Sequence, residues 1–246
     1  MPSKQILALS SSRVGNGAYL GSAVSVIKDF LGEQPLKIAF IPFALISKNY
    51  DTYVNEVSTA LKALPHSIAF ANYDSAQSVI EKSDAIMVGG GNTFKLLHDM
   101  YEARILEIIR TKINAGTPYI GWSAGANITS PTIGTTNDMP VIQPQSFKAL
   151  GVFLFQINPH YYNQKPEGFN GETRHQRLFE FIKMNPALKV IGLPEGTALQ
   201  LQGAVLKFMG NSPGILISAG DNNVEPITRQ IRPEEDLGFL LTTGEL

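Results

Sequence analysis

The sequence predicts an α/β fold, a doubly wound and mostly parallel sheet with helices on both faces. Short apolar or β-branched runs recur along the chain, and segments with helical periodicity lie between several of them. Parallel neighbours need a crossover long enough to hold a helix, so this alternation favours a parallel sheet. With 246 residues, 43% of them hydrophobic, the chain can fill one large core. We therefore expect a single domain over residues 1–246.

The individual elements follow from these patterns in chain order. The expected strands are residues 5–10, 37–41, 67–71, 85–88, 118–122, 152–157 and 189–193. The expected helices include residues 53–64, 92–115 and 172–184. From Thr197 onward, residues 204–209 and 214–218 are short and bounded by Gly and Pro, which favours hairpins at the sheet edge.

Composition excludes several classes of function. A net charge of −1 argues against a nucleic-acid partner, which needs a basic face. No apolar run approaches the roughly 20 residues that cross a bilayer, and residues 1–10 lack the apolar core of a signal peptide, so we expect no membrane partner and a cytoplasmic location. Without cysteine there is no disulfide, thiolate zinc site or cysteine nucleophile, and the four histidines show no i, i+4 pair. We expect no metal.

A loop-rich stretch, residues 10–17, directly follows the first expected strand. In a doubly wound sheet, loops after the carboxyl ends of strands border the ligand crevice. The stretch is thus either part of a ligand site or an ordinary surface turn.

The clearest motif is Gly121-x-Ser123-x-Gly125, which lies between an expected strand and a helix. This is the context of a nucleophile elbow, in which a sharp turn exposes the serine at the helix N-terminus. There the free N–H groups favour developing negative charge. The competing interpretation is a serine that only caps the helix.

A second glycine cluster, residues 89–92, follows the strand at residues 85–88 and opens a helix. Glycine lets the backbone approach a ligand, and N–H groups near Gly91 and Ala124 could form an oxyanion hole. A phosphate cradle is the weaker alternative, because Phe94 takes the last glycine position of G-x-G-x-x-G and no Walker Gly-Lys-Ser/Thr follows.

His160 is the best candidate for the base that activates Ser123. It follows the expected strand at residues 152–157, on the same rim as the other loops. The base needs a carboxylate to orient it, and both Asp138 and Glu195 lie in suitable loops. Spacing does not choose between them. We favour Asp138, with Glu195 as a second carboxylate that supports the site.

These motifs together resemble peptidase E, the α-aspartyl dipeptidase family. The matching stretches run in order over residues 89–92, 121–127, 136–140, 157–160 and 194–196. The resemblance implies a fold similar to the class I glutamine amidotransferases and hydrolysis of dipeptides that begin with aspartate, without a cofactor. It implies that small aspartyl peptides are the substrates. A homodimer is also compatible with the sequence.

Site residues carry over from the resemblance by motif. Ser123 would be the nucleophile and His160 the base, with Asp138 at the acidic triad position and Glu195 at another acidic position considered for that role. Arg174 resembles the arginine that binds substrate, which suits a carboxylate because its guanidinium is bidentate. Asn92 could bind the polar ends of the substrate. The alternative for Arg174 is a solvated residue at a helix start.

Other functions remain as competitors. A cyanophycinase-like hydrolase would cut β-aspartyl linkages with a similar triad, and a non-catalytic small-molecule-binding protein could use the same scaffold. Glutamine amidotransferase activity is disfavoured, because those enzymes use a cysteine nucleophile. The α/β-hydrolase fold is disfavoured too, since its histidine normally comes late in a longer chain.

Overall fold

The structure, a computed structural model, describes residues 3–47, 49–168, 170–220 and 225–242. The strands are β1 (Gln5–Leu9), β2 (Lys37–Ile41), β3 (Ser67–Phe70), β4 (Ala85–Val88), β5 (Tyr119–Trp122), β6 (Gln156–Pro159), β7 (Val190–Leu193), β8 (Ala198–Gln202), β9 (Val205–Met209), β10 (Gly214–Ala219) and β11 (Pro226–Ile231). The helices are α1 (Val24–Leu31), α2 (Tyr50–Leu61), α3 (Ala76–Glu81), α4 (Thr93–Glu102), α5 (Leu106–Asn114), α6 (Ala124–Asn127) and α7 (Arg174–Met184), and a 3-10 helix covers Gly238–Leu241.

In the described residues, eleven strands form two sheets. The larger has seven strands in the order β3-β2-β4-β5-β1-β8-β9, of which the first five are parallel and the last two antiparallel. The smaller has the order β11-β10-β7-β6, in which only β6 and β7 pair in parallel. The predicted fold class, a doubly wound and mostly parallel sheet, is confirmed.

Helices cover both faces of the larger sheet, as the buried residues show. Alternate side chains of a strand point to opposite faces, so Ile6 and Ala8 join an apolar cluster that includes residues of α3 to α6. Leu7 and Leu9 join a second cluster with residues of α1 and α2. The first cluster also contains buried residues of the smaller sheet, which places both sheets around one core. In the described part of the chain, no helix has the length and apolarity needed to cross a bilayer.

Two elements differ from the sequence-based expectation. The expected helix over residues 92–115 is two helices, α4 and α5, because the chain breaks at Arg104, whose φ is +56°. The expected strand over residues 152–157 lies later, at β6. Phe153 and Phe155 are buried without forming a strand, and their rings stack with centroids 4.8 Å apart. The sequence patterns also did not predict α1 and α3.

The carboxyl ends of four strands meet at one place. The parallel register pairs Leu9 of β1 with Trp122 of β5, and Pro159 of β6 with Leu193 of β7. Ser10, directly after β1, hydrogen-bonds with the backbone of His160 after β6 and of Leu193 in β7. The residues that follow the four strands therefore lie close together, at the kind of crevice where ligands bind in open α/β sheets.

Candidate active site

Ser123 occupies a sharp turn between β5 and α6. Its backbone has φ +54° and ψ −113°, a conformation that L-residues rarely adopt. The turn is tight on both sides: a Cβ at Gly121 would collide with the carbonyl oxygen of Gly125, and one at Gly125 would collide with that of Val88. The Ser123 amide donates to the carbonyl of Leu9 at 3.1 Å. Close packing thus explains both glycines of the motif and the fixed position of the serine.

His160 lies between Ser123 and a carboxylate. Its Nε2 is 2.9 Å from Ser123 Oγ, and its Nδ1 is 3.0 Å from Glu195 Oε1. When Nδ1 donates to the carboxylate, the lone pair of Nε2 faces the serine hydroxyl, which is the arrangement of a general base. His160 itself has a positive φ of 52°. The structure therefore brings together three of the residues named from the sequence.

Asp138 does not contact His160, although the sequence favoured it as the carboxylate that orients the base. Its Oδ2 accepts hydrogen bonds from the amide of Thr93 at 2.7 Å, from Thr93 Oγ1 at 2.6 Å and from Thr136 Oγ1 at 3.1 Å. The carboxylate is thus held at the N-terminus of α4, where free N–H groups favour negative charge. Glu195, and not Asp138, contacts His160. By this geometry Glu195 is the candidate that orients the base, in place of the favoured Asp138.

Asn92 is also engaged within the fold. Its side-chain oxygen accepts from the amide of Lys95 at 3.0 Å and caps α4, and its Nδ2 donates to the carbonyl of Met139 at 2.8 Å. Both ends of the amide are used. Asn92 therefore fastens the Asp138 loop to α4, whereas the sequence suggested a contact with substrate.

Ser10, to which the sequence motifs gave no role, holds the backbone of His160 in place. Its hydroxyl accepts from the His160 amide at 2.9 Å and donates to the Leu193 carbonyl at 2.8 Å, and the residue is fully buried. The Ser10 hydroxyl, directly after β1, therefore links the backbone of His160 to β7, the strand that precedes Glu195. The available signal was its position directly after β1, beside the strand that precedes Ser123.

The Gly90–Gly91 peptide has a set orientation. Tyr53 donates its hydroxyl to the Gly90 carbonyl at 3.0 Å. Because a trans peptide is planar, the Gly91 N–H points the opposite way. Among the described residues, neither this N–H nor that of Ala124 has a protein acceptor. Both adjoin Ser123, since a Cβ at Gly90 would contact the Ser123 Cβ and Ala124 follows it directly. They are suitable donors to an oxyanion.

A small cavity of about 170 Å³ reaches Ser123 and His160 on one side. Arg174 and Asp138 both line it, so it presents a cation and an anion to one ligand. Arg174 is half-buried and donates through Nη1 to the His160 carbonyl. Desolvation is the main cause that lowers the pKa of Arg174, with a further contribution from Arg177, and Asp138 acts in the opposite direction. A guanidinium remains charged under these conditions.

Comparison with known proteins identifies what the chain is similar to. The model of peptidase family S51 matches residues 6–209. A peptidase E of Nostoc sp. (strain PCC 7120) is 43% identical over 240 residues, with 97% of both chains covered. A peptidase E of Shewanella oneidensis is 46% identical over 222 residues, covering 90% of this chain and 93% of the relative.

Solved structures give the same architecture. A protein from Listeria monocytogenes EGD-e superposes with a TM-score of 0.67 at 25% identity, covering 85% of this chain and all of that chain. A peptidase from an acI-B1 Actinobacterium has a TM-score of 0.63 over 96% of both chains, and at 15% identity this likeness concerns the fold alone. The predicted class I glutamine amidotransferase-like architecture is confirmed.

Proposed function

Since the chain belongs to peptidase family S51 and is a peptidase, we propose that it is a serine exopeptidase that removes aspartate from the N-terminus of dipeptides. One observation carries the proposal: Ser123 Oγ, both ring nitrogens of His160 and Glu195 Oε1 form a continuous chain of contacts of 2.9 and 3.0 Å. The same serine borders the cavity that holds Arg174. These positions support the assignment of a nucleophile, a base and a carboxylate-binding group to one site.

In the first half-reaction, His160 Nε2 accepts the proton of Ser123 Oγ as the oxygen attacks the carbonyl carbon of the N-terminal aspartate. The C–O bond forms and the carbonyl electron pair moves to oxygen, where the N–H groups of Gly91 and Ala124 hold the negative charge. Glu195 stabilises the imidazolium through Nδ1. Collapse of this intermediate breaks the C–N bond, and His160 donates its proton to the leaving amine.

The second half-reaction uses the same groups. Water attacks the aspartyl ester on Ser123 while His160 Nε2 takes one of its protons, and the N–H groups of Gly91 and Ala124 again hold the oxyanion. Cleavage of the ester bond returns the proton to Ser123 Oγ and releases aspartate. No cofactor enters either half-reaction.

Selectivity for aspartate follows from the charges in the small cavity. The Arg174 guanidinium can bind the side-chain carboxylate of the substrate, and the Asp138 carboxylate can bind its free amine. The cavity of about 170 Å³ adjoins Ser123 directly, so its size suits a short acidic residue. These features support an exopeptidase whose small cavity binds the N-terminal residue of the substrate.

The test measures turnover of α-Asp-Leu, β-Asp-Leu, Glu-Leu and Ala-Leu by the wild type and Ser123→Ala, with released amino acids quantified by mass spectrometry. We expect cleavage of α-Asp-Leu alone, and a loss of several orders of magnitude in Ser123→Ala. Cleavage of the β-isomer instead would indicate a cyanophycinase-like hydrolase. Turnover that survives in Ser123→Ala would refute the nucleophile, and no cleavage at all would favour the non-catalytic binding protein.

Arg174 has a matched control on its own helix. Arg174→Lys keeps the charge but loses the bidentate fork, so kcat/KM for α-Asp-Leu should fall by about 10- to 100-fold. Arg177→Lys is the control, because the Arg177 side chain is exposed and its Nε lies 3.8 Å from Glu172 Oε2 on the surface. Equal effects of the two substitutions would argue against a substrate contact at Arg174.

A further inference from the structure

A second and larger cavity reaches Ser123 and His160 from the side of the glycine turn. Its volume is about 480 Å³, against about 170 Å³ for the cavity that holds Arg174. Tyr19, Leu45, Tyr53 and Trp122 form an aromatic and aliphatic wall beside the glycine backbone. The polar residues Ser12, Ser47, Asn49, Thr52 and Glu56 also line the cavity. The two cavities therefore flank the same nucleophile, and the larger one has an aromatic and aliphatic wall.

The aromatic wall is held in place by contacts within the protein. Trp122 Nε1 donates to the hydroxyls of Tyr19 at 2.9 Å and Tyr53 at 3.1 Å. The rings of Tyr19 and Tyr53 meet edge to face, with centroids 6.0 Å apart. On the outer side, the Arg13 guanidinium lies 5.2 Å from the centroid of the Tyr19 ring. A wall fixed in this way loses little conformational entropy when a side chain packs against it.

The aromatic wall of this cavity is uncharged. Burial is the main cause that raises the pKa of Tyr19 to about 12, so its hydroxyl stays protonated at neutral pH. The carboxylate of Glu56, which also lines the cavity, is 3.2 Å from an Arg13 nitrogen and is exposed to solvent. Charge is thus paired at the rim, while Tyr19 and Leu45, each only partly buried, offer apolar surface inside.

We propose that this cavity binds the side chain of the residue that follows the N-terminal aspartate, and that Tyr19 and Leu45 favour a bulky apolar or aromatic residue there. The inference rests on the proposed function. A peptide whose carbonyl carbon is at Ser123 Oγ extends in two directions, and the charged cavity of Arg174 and Asp138 takes the aspartyl side. The leaving residue then enters the larger cavity, whose neutral aromatic wall matches an apolar side chain.

This assignment gives a function to the loop after β1. Ser12 of that loop lines the cavity, and the Arg13 guanidinium lies over the ring of Tyr19. The loop therefore forms one wall of the proposed subsite for the leaving residue.

The test compares kcat/KM for α-Asp-Phe and α-Asp-Gly in the wild type, Tyr19→Ala, Leu45→Ala and Ile46→Ala. Ile46 is the matched control, since it adjoins Leu45 but is 57% exposed and is absent from the cavity wall. We expect the ratio for Asp-Phe over Asp-Gly to fall by about tenfold in Tyr19→Ala and Leu45→Ala. Both substrates are assayed with the same preparation of each variant. An error in the concentration of folded enzyme therefore cancels in the ratio.

A ratio that is unchanged in both variants, or that falls equally in Ile46→Ala, would overturn the subsite while leaving aspartyl dipeptidase activity in place. A wild type that cleaves neither substrate would overturn the proposed function together with the subsite. Leu45→Trp provides an independent check by filling the cavity. It should lower the ratio by selective loss of Asp-Phe turnover, and a raised ratio would count against the assignment.

Discussion

The backbone of Ser123 is strained. The strain arises in the sharp turn that presents its side chain to the site. Its φ of +54° with ψ −113° places an L-residue where glycine is usually found. Such a conformation costs about 1–3 kcal/mol and persists where the surrounding structure requires it. The contacts of Gly121 and Gly125 described above supply that requirement.

Ser123→Gly should therefore be more stable than Ser123→Ala by about 1 kcal/mol in the free energy of unfolding. Both variants lose the hydroxyl, but only glycine relieves the positive φ, and part of that gain is offset by the greater entropy of glycine in the unfolded chain. Urea denaturation measures the difference. Equal stabilities would mean that the turn carries no strain.

A second prediction at this scale separates the two carboxylates. Glu195→Gln should lower kcat by about two to four orders of magnitude, because His160 loses the anion that fixes its tautomer and stabilises the imidazolium. Asp138→Asn should instead raise KM for α-Asp-Leu, since we assign its carboxylate to the substrate amine. Steady-state kinetics of both variants check this. The opposite pattern would return the orienting role to Asp138.

The choice between these carboxylates illustrates what the sequence leaves open. Asp138 lies in a polar loop between Ser123 and His160 in the chain, whereas Glu195 follows a short apolar run, and spacing does not choose between them. The decision depends on β6 and β7 being parallel neighbours in the smaller sheet, with Pro159 opposite Leu193. That pairing places Glu195 beside His160. Motifs could predict the candidate nucleophile and base, but not which strands would be adjacent.

At the scale of elements, α7 positions Arg174. The helix begins with a capping box, in which Thr173 Oγ1 accepts from the Gln176 amide at 3.2 Å and Gln176 Oε1 accepts from the Thr173 amide at 2.8 Å. Arg174 is the first residue of the helix, so the cap fixes the point from which its side chain extends into the small cavity.

Thr173→Ala should cost about 1 kcal/mol in the free energy of unfolding and raise KM for α-Asp-Leu more than it lowers kcat. The reason is that the first turn frays where Arg174 is attached, while Ser123 and His160 keep their contact. Thr173→Ser retains the capping oxygen and is the control. Denaturant titration and kinetics measure the two effects, and a loss confined to kcat would disagree with this role.

Most strands were predictable within one residue of their ends, because β1 to β5 and β7 are short apolar runs bounded by polar or turn residues. The failures have local causes. Helical periodicity continues through residues 92–115, and the break at Arg104 involves no Gly or Pro that would have marked it. Val152, Phe153 and Phe155 are buried, with the two phenylalanine rings stacked, and burial alone does not distinguish a strand from an irregular segment.

At the scale of the whole molecule, the candidate catalytic residues come from two sheets. Ser123 follows a strand of the larger sheet, whereas His160 and Glu195 follow strands of the smaller one. Their alignment depends on the contact between the sheets. The Ser10 hydroxyl bridges that contact, since it bonds with the backbone at the ends of both β6 and β7.

Ser10→Ala should lower kcat for α-Asp-Leu by about 10- to 100-fold with little change in KM, because the base shifts relative to Ser123 while the small cavity is retained. Ser83→Ala is the matched control, as Ser83 is also buried and donates to a carbonyl, that of Ile80 at 2.7 Å, away from the site. Equal loss of kcat in both variants would reduce Ser10 to a structural residue.

The hydrogen bond from Tyr53 to the Gly90 carbonyl bears on how the protein tolerates alkaline conditions. An exposed tyrosine loses its proton near pH 10, and a phenolate would repel the carbonyl oxygen and release the peptide to rotate. Burial is the main cause that raises the pKa of Tyr53 well above that value. The hydroxyl therefore remains a donor above the pH at which an exposed tyrosine ionises, and the Gly91 N–H keeps its direction there.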